Sequence, residues 1–278
     1  GIAGRGGWEP IMREEAERQM WSAVERSHDL EPKGNIVVTF HSSNGLPEPE
    51  TKVKSKDGEI VSDIAVINES SGEYGKLPRS EPDYFEGEKV YEPEKRLKHL
   101  NEQRWSTQLS NINIGANRGR NFFSEIKEQQ KNIGDGLKNL DFEKIYKIYD
   151  TPEGQKFVKE LEPGAQKVVR NIVDAYGQAD VYARDSYRMF KDSFNTAYEV
   201  AKKSGDEKTK VVLEKLRHKI TPIVESYKKD PSKIEELTES VVEGLRFMKD
   251  LPAPEEFRPL KEFAIDKASQ TYADVAFN

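Results

Sequence analysis

One long apolar seam constrains this chain more than any other feature. Val169, Ile172, Tyr176, Ala179, Ala183, Tyr187, Phe190, Phe194, Ala197 and Ala201 recur in alternating steps of three and four. That spacing places all of them on one stripe of an α-helix. A stripe of this length is stable only when other helices cover it. The flanking segments supply such partners. Leu213, Leu216, Ile220, Ile223 and Tyr227 repeat the pattern over 206–228, with Pro222 positioned to kink the helix. Asp230-Pro231 reads as a cap for a helix carrying Ile234, Leu237, Val241, Leu245 and Met248. Upstream, Leu97, Leu100, Leu109 and Ile112, then Phe122, Phe123, Ile126 and Ile133, predict helix from 93 to 133 with a break near Gly115 to Gly119. Short helices are expected at 141–149 and 152–161, the second with Thr151 as N-cap and Pro152 at its first position. Residues 93–250 therefore read as an antiparallel helical bundle.

The remaining segments differ in pattern. Residues 1–9 are glycine-rich loop, and a helix is expected from Pro10 to Asp29 with Met12, Ala16, Met20, Ala23 and Val24 on one face. Glu31-Pro32-Lys33-Gly34 breaks it. The β-branched and apolar run near 35–42 then predicts a buried strand ending in His41. A Lys56-Asp57-Gly58 turn between Thr51–Ser55 and Ile60–Asn68 predicts a β-hairpin over 51–68. Residues 78–92 read as exposed loop, and a last helix starts near Pro259. The chain is thus predominantly α. Four segments are expected: a loop–helix–strand unit at 1–45, a hairpin and loop at 46–92, the bundle at 93–250, and a return helix at 251–278.

Composition removes several classes of function. Cysteine is absent, which excludes disulfides and thiolate metal sites. The formal net charge of −6 argues against broad binding to a nucleic-acid backbone. No apolar run approaches the roughly 18 residues a membrane helix needs, and Gly1–Pro10 has no secretory pattern. A cytoplasmic location is expected. The chain starts without Met and stops inside the apolar-periodic Ala276-Phe277-Asn278, so it is expected to be a piece of a longer protein.

Several short constellations could carry chemistry. His41 begins the polar His41-Ser42-Ser43-Asn44-Gly45 segment at the carboxyl end of the expected strand. Strand ends of parallel α/β folds carry active sites, and a histidine there can bind a divalent metal or act as a base. The plainer reading is a hydrogen-bonded structural histidine. Glu25-x-x-His28 has the spacing of a di-iron ligand pair, but neither His99 nor His218 supplies the second motif, so a solvated helix end is the simpler account. Gly4-Arg5-Gly6-Gly7 before a helix could cradle a phosphate, and Arg118-Gly119-Arg120 could hold an anion. Each reads more simply as an ordinary terminus or surface turn. The aromatic series Tyr176, Tyr182, Tyr187, Phe190, Phe194 and Tyr198 is either bundle core or a groove for a partner helix.

Helix, short loop, strand and His41-Ser42-Ser43-Asn44-Gly45 together resemble part of the xylose isomerase-like TIM-barrel superfamily, which includes sugar isomerases and epimerases and the apurinic endonuclease IV family. The resemblance covers roughly residues 8–45 and 258–278. It implies a partial TIM barrel, α/β in class, into which residues 46–257 are inserted. It further implies a divalent metal (zinc, manganese or magnesium) with His41 as a ligand. The reaction would be sugar isomerisation, epimerisation or cleavage at abasic DNA. The chain departs from the endonuclease branch, which usually has His-Pro-Gly where His41-Ser42-Ser43 stands. The acidic balance favours a sugar-type substrate over nucleic acid. The other function class is a non-catalytic helical domain that binds a protein partner. The two differ in one observable. A barrel piece leaves an apolar edge exposed around Ile36 to Phe40, whereas an interaction protein buries that segment and exposes a patch on the bundle.

Overall fold

The computed structural model describes residues 3–4, 7–34, 36–40, 48–55, 58–81, 84–85, 87, 89–90, 92–131 and 141–277. Eight strands and eight α-helices are found among the described residues. In order they are β1 (Ala3–Gly4), β2 (Gly7–Trp8), α1 (Pro10–Leu30), β3 (Glu50–Ser55), β4 (Gly58–Asn68), β5 (Tyr74–Pro78), β6 (Ser80–Glu81), β7 (Lys89–Val90), α2 (Pro93–Lys131), α3 (Phe142–Ile148), α4 (Pro152–Glu160), α5 (Pro163–Ser204), α6 (Glu207–Lys229), α7 (Ile234–Lys249), β8 (Phe257–Pro259) and α8 (Leu260–Phe277). The chain is mostly helical, with one small antiparallel sheet of four strands. It divides into two compact units, Gly1–Glu102 with Glu255–Asn278, and Gln103–Pro254.

The first unit is organised around β4. Its run Ile64-Ala65-Val66-Ile67 is apolar without alternation, the pattern of a strand covered on both faces. Side chains alternate across the sheet, so Ala65 and Ile67 share one face while Ile64 and Val66 share the other. Ala65 and Ile67 pack with Leu260 and Phe263 of α8, and Val66 packs with Leu77, Leu97 and Phe257. Trp8 meets Phe263 edge to face at 5.2 Å. β4 pairs antiparallel with β3, β5 and β8, with β3 and β8 following one another along its length. Buried Asn101 fixes β8 by donating to the Phe257 carbonyl at 3.1 Å and accepting from the Phe257 N–H at 2.9 Å.

The second unit is built on α5, which packs against α3, α4, α6 and α7. All ten positions of the expected seam lie on this helix, and eight of them are buried. Small residues set the closest approaches. Gly244 of α7 lies under the Phe190 ring, where a Cβ would come within 2.6 Å of the ring. Ion pairs link neighbouring helices at the surface, including Arg120 to Glu239, Lys127 to Glu235 and Lys219 to Glu243.

Several expectations are corrected, among them the loop expected over 78–92, where β6 and β7 pair antiparallel. The run near 35–42 forms no strand over its described residues 36–40, where Val37 is 89% exposed. A β-branched sequence becomes a strand only where a ladder partner exists, and none pairs with it among the described residues. Gly115 and Gly119 do not break α2. They instead allow close approach, with built Cβ positions 3.4 Å from Ser186 and 3.5 Å from Thr238. Residues 1–9 are not wholly loop, because β1 and β2 pair as a short hairpin. The described strands pair antiparallel throughout and form no barrel. The 51–68 hairpin, the helix starting near Pro10 and the Thr151 cap, which accepts from the Gly154 N–H, stand as expected.

Two substitutions test these cores separately. Asn101→Ala leaves the Phe257 N–H and C=O unpaired in a buried site, at a cost of about 1–3 kcal/mol. Gly244→Ala drives a methyl into the Phe190 ring, at a cost of about 1–3 kcal/mol. Urea unfolding followed with probes placed in each unit should show each loss. An unchanged midpoint in either variant would refute the packing described for that unit.

Candidate functional site

Two places collect the residues singled out by sequence. The first lies in the first unit, on α1. This helix carries the expected apolar face, yet none of its residues is buried. Ile11 and Leu30 are exposed, as are Ile36 and Val37 beyond its end. α1 packs against α8, and Arg13 holds Asp274 at 2.8 Å. Between the two helices is an open hollow of about 740 Å³, lined by Met20, Trp21, Val24, Phe40, Tyr272 and Val275. Glu25, His28 and Asp29 stand on the same wall. Helical spacing explains the grouping, since Glu25, His28 and Asp29 are three and four residues apart on one helix.

The Glu25-x-x-His28 pair thus faces an apolar hollow instead of a second ligand pair. Among the described residues, no three His, Asp or Glu side chains gather closely enough to hold a metal ion. His41 and the Ser42–Gly45 segment lie outside the described residues. Gly4 and Gly7 pair across the short hairpin, while Arg5 and Gly6 also lie outside the described residues. The arginines at 118 and 120 are both engaged. Arg118 sits 5.7 Å from the Tyr182 ring centroid, and Arg120 donates through Nε to Glu239 at 2.6 Å.

The second place is in the second unit. The aromatic series divides between core and cleft. Tyr176 is buried and stacks on Tyr146, and Tyr182 stacks on Phe122. Tyr187, Phe190 and Phe194 instead line a cleft of about 210 Å³ between α5 and α6, completed by Ile220 and Val224. A seam read as a one-dimensional stripe could not separate these roles. The separation depends on how α6 packs along α5, and local spacing does not encode that.

A polar cluster lies further along the same α5–α6 interface. The Asp180 carboxylate is buried, accepts from the Tyr227 hydroxyl at 2.8 Å and pairs with Arg184. Burial raises the Tyr227 hydroxyl above its ordinary value. Nearby, Asp230 is held down at about 2, first by the Lys147 ammonium, 2.8 Å away, then by the Ser232 hydroxyl and N–H. These groups tie α3, α5 and α6 to the start of α7. They are saturated by one another, so the cluster reads as structural and not as a reacting centre.

Comparisons with protein families, with characterised proteins and with solved structures find no match to this chain. Among the described residues, no helix is long and apolar enough to cross a membrane.

The Asp230 cluster gives a pH dependence with a defined sign. Its folded value lies below the ordinary 3.8, so its stabilisation is present above about pH 4 and is lost as pH falls toward 2. Asp230→Asn should flatten part of the acid-induced fall in urea midpoint between pH 4 and 2. Identical pH profiles for Asp230→Asn and the parent would remove this role.

Proposed function

We infer that the protein forms part of a barrel-type, metal-dependent enzyme acting on a sugar or sugar phosphate. In this reading α1, residues 36–40 and α8 belong to the barrel wall, and the second unit is a helical insertion. The observation that supports it is the incomplete cover of α1, whose apolar face is only half-buried, together with the exposed Ile36 and Val37. A helix followed by an extended apolar segment is the repeating element of a parallel β/α barrel. There the strand is covered on both faces by its neighbours. Isolated apolar side chains on a surface need no explanation, but a half-covered helix face followed by exposed Ile36 and Val37 leaves room for a further cover.

His41 follows this segment directly, at the end where such folds place their chemistry. A divalent ion there would polarise a substrate oxygen or activate water. The described residues gather no ligand set, so His41 would be this chain's contribution, and no reaction step is derived through the ion. The net charge of −6 favours a sugar-type substrate over abasic DNA.

A second reading is a helical domain that binds a protein partner. The cleft between α5 and α6 supports it, since an apolar floor is left open beside exposed charge.

The enzyme reading is tested by metal content and by turnover. Expressed from its full reading frame, the protein should retain a divalent ion and interconvert aldose and ketose sugars, or sugar epimers, with manganese or magnesium added. His41→Ala should lose both properties while His28→Ala keeps them. Equal metal content in His41→Ala and parent, with no metal-dependent turnover in either, would remove the barrel-enzyme reading.

A further inference from the structure

The α5–α6 cleft has a defined size, an apolar floor and an unbalanced rim. Phe190, Ile220 and Val224 form the floor and are otherwise buried, while Tyr187 and Phe194 are half-buried walls. Gly244 is what keeps the floor low. Because α7 offers no side chain there, the Phe190 ring settles onto its backbone instead of filling the space above. At about 210 Å³ the cleft falls below the roughly 300–1,000 Å³ of sites that enclose a whole small ligand. One or two large side chains fit it.

The rim carries Lys191, Arg217 and Lys228 against a single acid, Glu225. Lys228 stands 3.5 Å from Glu225. Lys191 and Arg217 make no ion pair among the described residues, although the chain as a whole carries an excess of acids. Some cations of this unit are paired across helices, as in Lys127 with Glu235 and Lys219 with Glu243. Two unpaired cations beside an open apolar floor complement a ligand that has an apolar centre and acidic flanks.

We propose that this cleft docks an acidic amphipathic segment of a partner protein. One large apolar side chain seats among Tyr187, Phe190 and Phe194, and the flanking carboxylates pair with Lys191 and Arg217. The proposal rests on the partner-binding reading of the helical unit and adds the chemistry of the partner. The apolar anchor supplies affinity, and the charges supply selectivity and salt dependence.

The test uses fluorescein-labelled helical peptides that share one central Phe and carry Glu, Gln or Lys at the flanking positions. Binding to the full chain is read by anisotropy. The Glu peptide should bind at least about tenfold tighter than the Gln peptide, an advantage of about 1.4 kcal/mol, and the advantage should shrink in high salt. The double variant Lys191→Glu, Arg217→Glu should reverse the order in favour of the Lys peptide. Both side chains are exposed, and unchanged circular dichroism would verify the fold. Thr221→Trp, at the exposed mouth of the cleft, should weaken all three peptides alike by blocking the anchor. Equal binding of the Glu and Gln peptides that Thr221→Trp still weakens would overturn the acidic partner and leave docking at the cleft standing. Binding indifferent to Thr221→Trp, or no binding of any peptide at millimolar concentration, would overturn both. Displacement of bound peptide by decanoate is consistent with the proposal. Decanoate binding at the cleft without any peptide binding would assign it to a small amphiphile and overturn the proposal.

Discussion

The helical unit depends on the coverage of one helix, α5. A single helix of this length is not held by its own hydrogen bonds in water, because nucleation is unfavourable and propagation only marginally favourable. Its stability comes from the seam, and the seam works because it alternates bulk with near absence of bulk. Ala179 and Ala183 are wholly inaccessible to solvent, so neighbouring backbones come close there. Tyr176 and Phe190 stand on either side and fill the wider gaps. Gly244 extends the same device to α7. The surface ion pairs contribute less, since exposed pairs are worth about 0–1 kcal/mol each. Their greater value is to fix which faces of α2, α6 and α7 meet.

The sheet unit follows a different logic. β4 is covered on both faces and bonded along both edges, so its apolar run is fully used. α1 is the contrary case. It has an apolar face but no buried residue, and its links are to α8 and the short N-terminal hairpin. Within one unit, then, one element is saturated and another is under-covered. Hydrophobic burial contributes about 25 cal/mol per Å² of apolar surface, so a helix whose apolar face is only half-buried contributes less than a fully covered one would.

Sequence made the helical unit legible because its signal is periodic over many turns, where errors in single positions cancel. The 51–68 hairpin was legible for a different reason, the Lys56-Asp57-Gly58 turn sequence between Thr51–Ser55 and the apolar run from Ile60. β8 was not legible. It is three residues long, ends in Pro259 and exists because Asn101 and β4 hold it from far along the chain. The glycines of α2 misled because Gly signals a break locally, whereas its lack of a side chain here serves packing against Ser186 and Thr238. Residues 36–40 misled for the opposite reason. Their composition is that of a strand, but a strand is a pairing and not a composition. Of the candidate site, the clustering of Glu25 with His28 followed from helical spacing, while Tyr272 and Val275 came to the same hollow from the far end of the chain.

Charge gives the last distinction between structure and function here. With 34% of residues charged, a single lysine or arginine carries little information, and several are held by a partner on the next turn or the next helix. Arg118 and Arg120 looked like an anion site in sequence, yet one lies over Tyr182 and the other holds Glu239. Lys191 and Arg217 drew no attention in sequence, yet they remain unpaired at the edge of an apolar opening. The informative charge in such a chain is the one the fold leaves without an opposite beside apolar surface that the fold leaves without a cover. Neither condition alone marks a site. Exposed apolar residues are common, and so are solvated lysines. Their coincidence between α5 and α6 is what separates that cleft from the rest of a heavily charged surface.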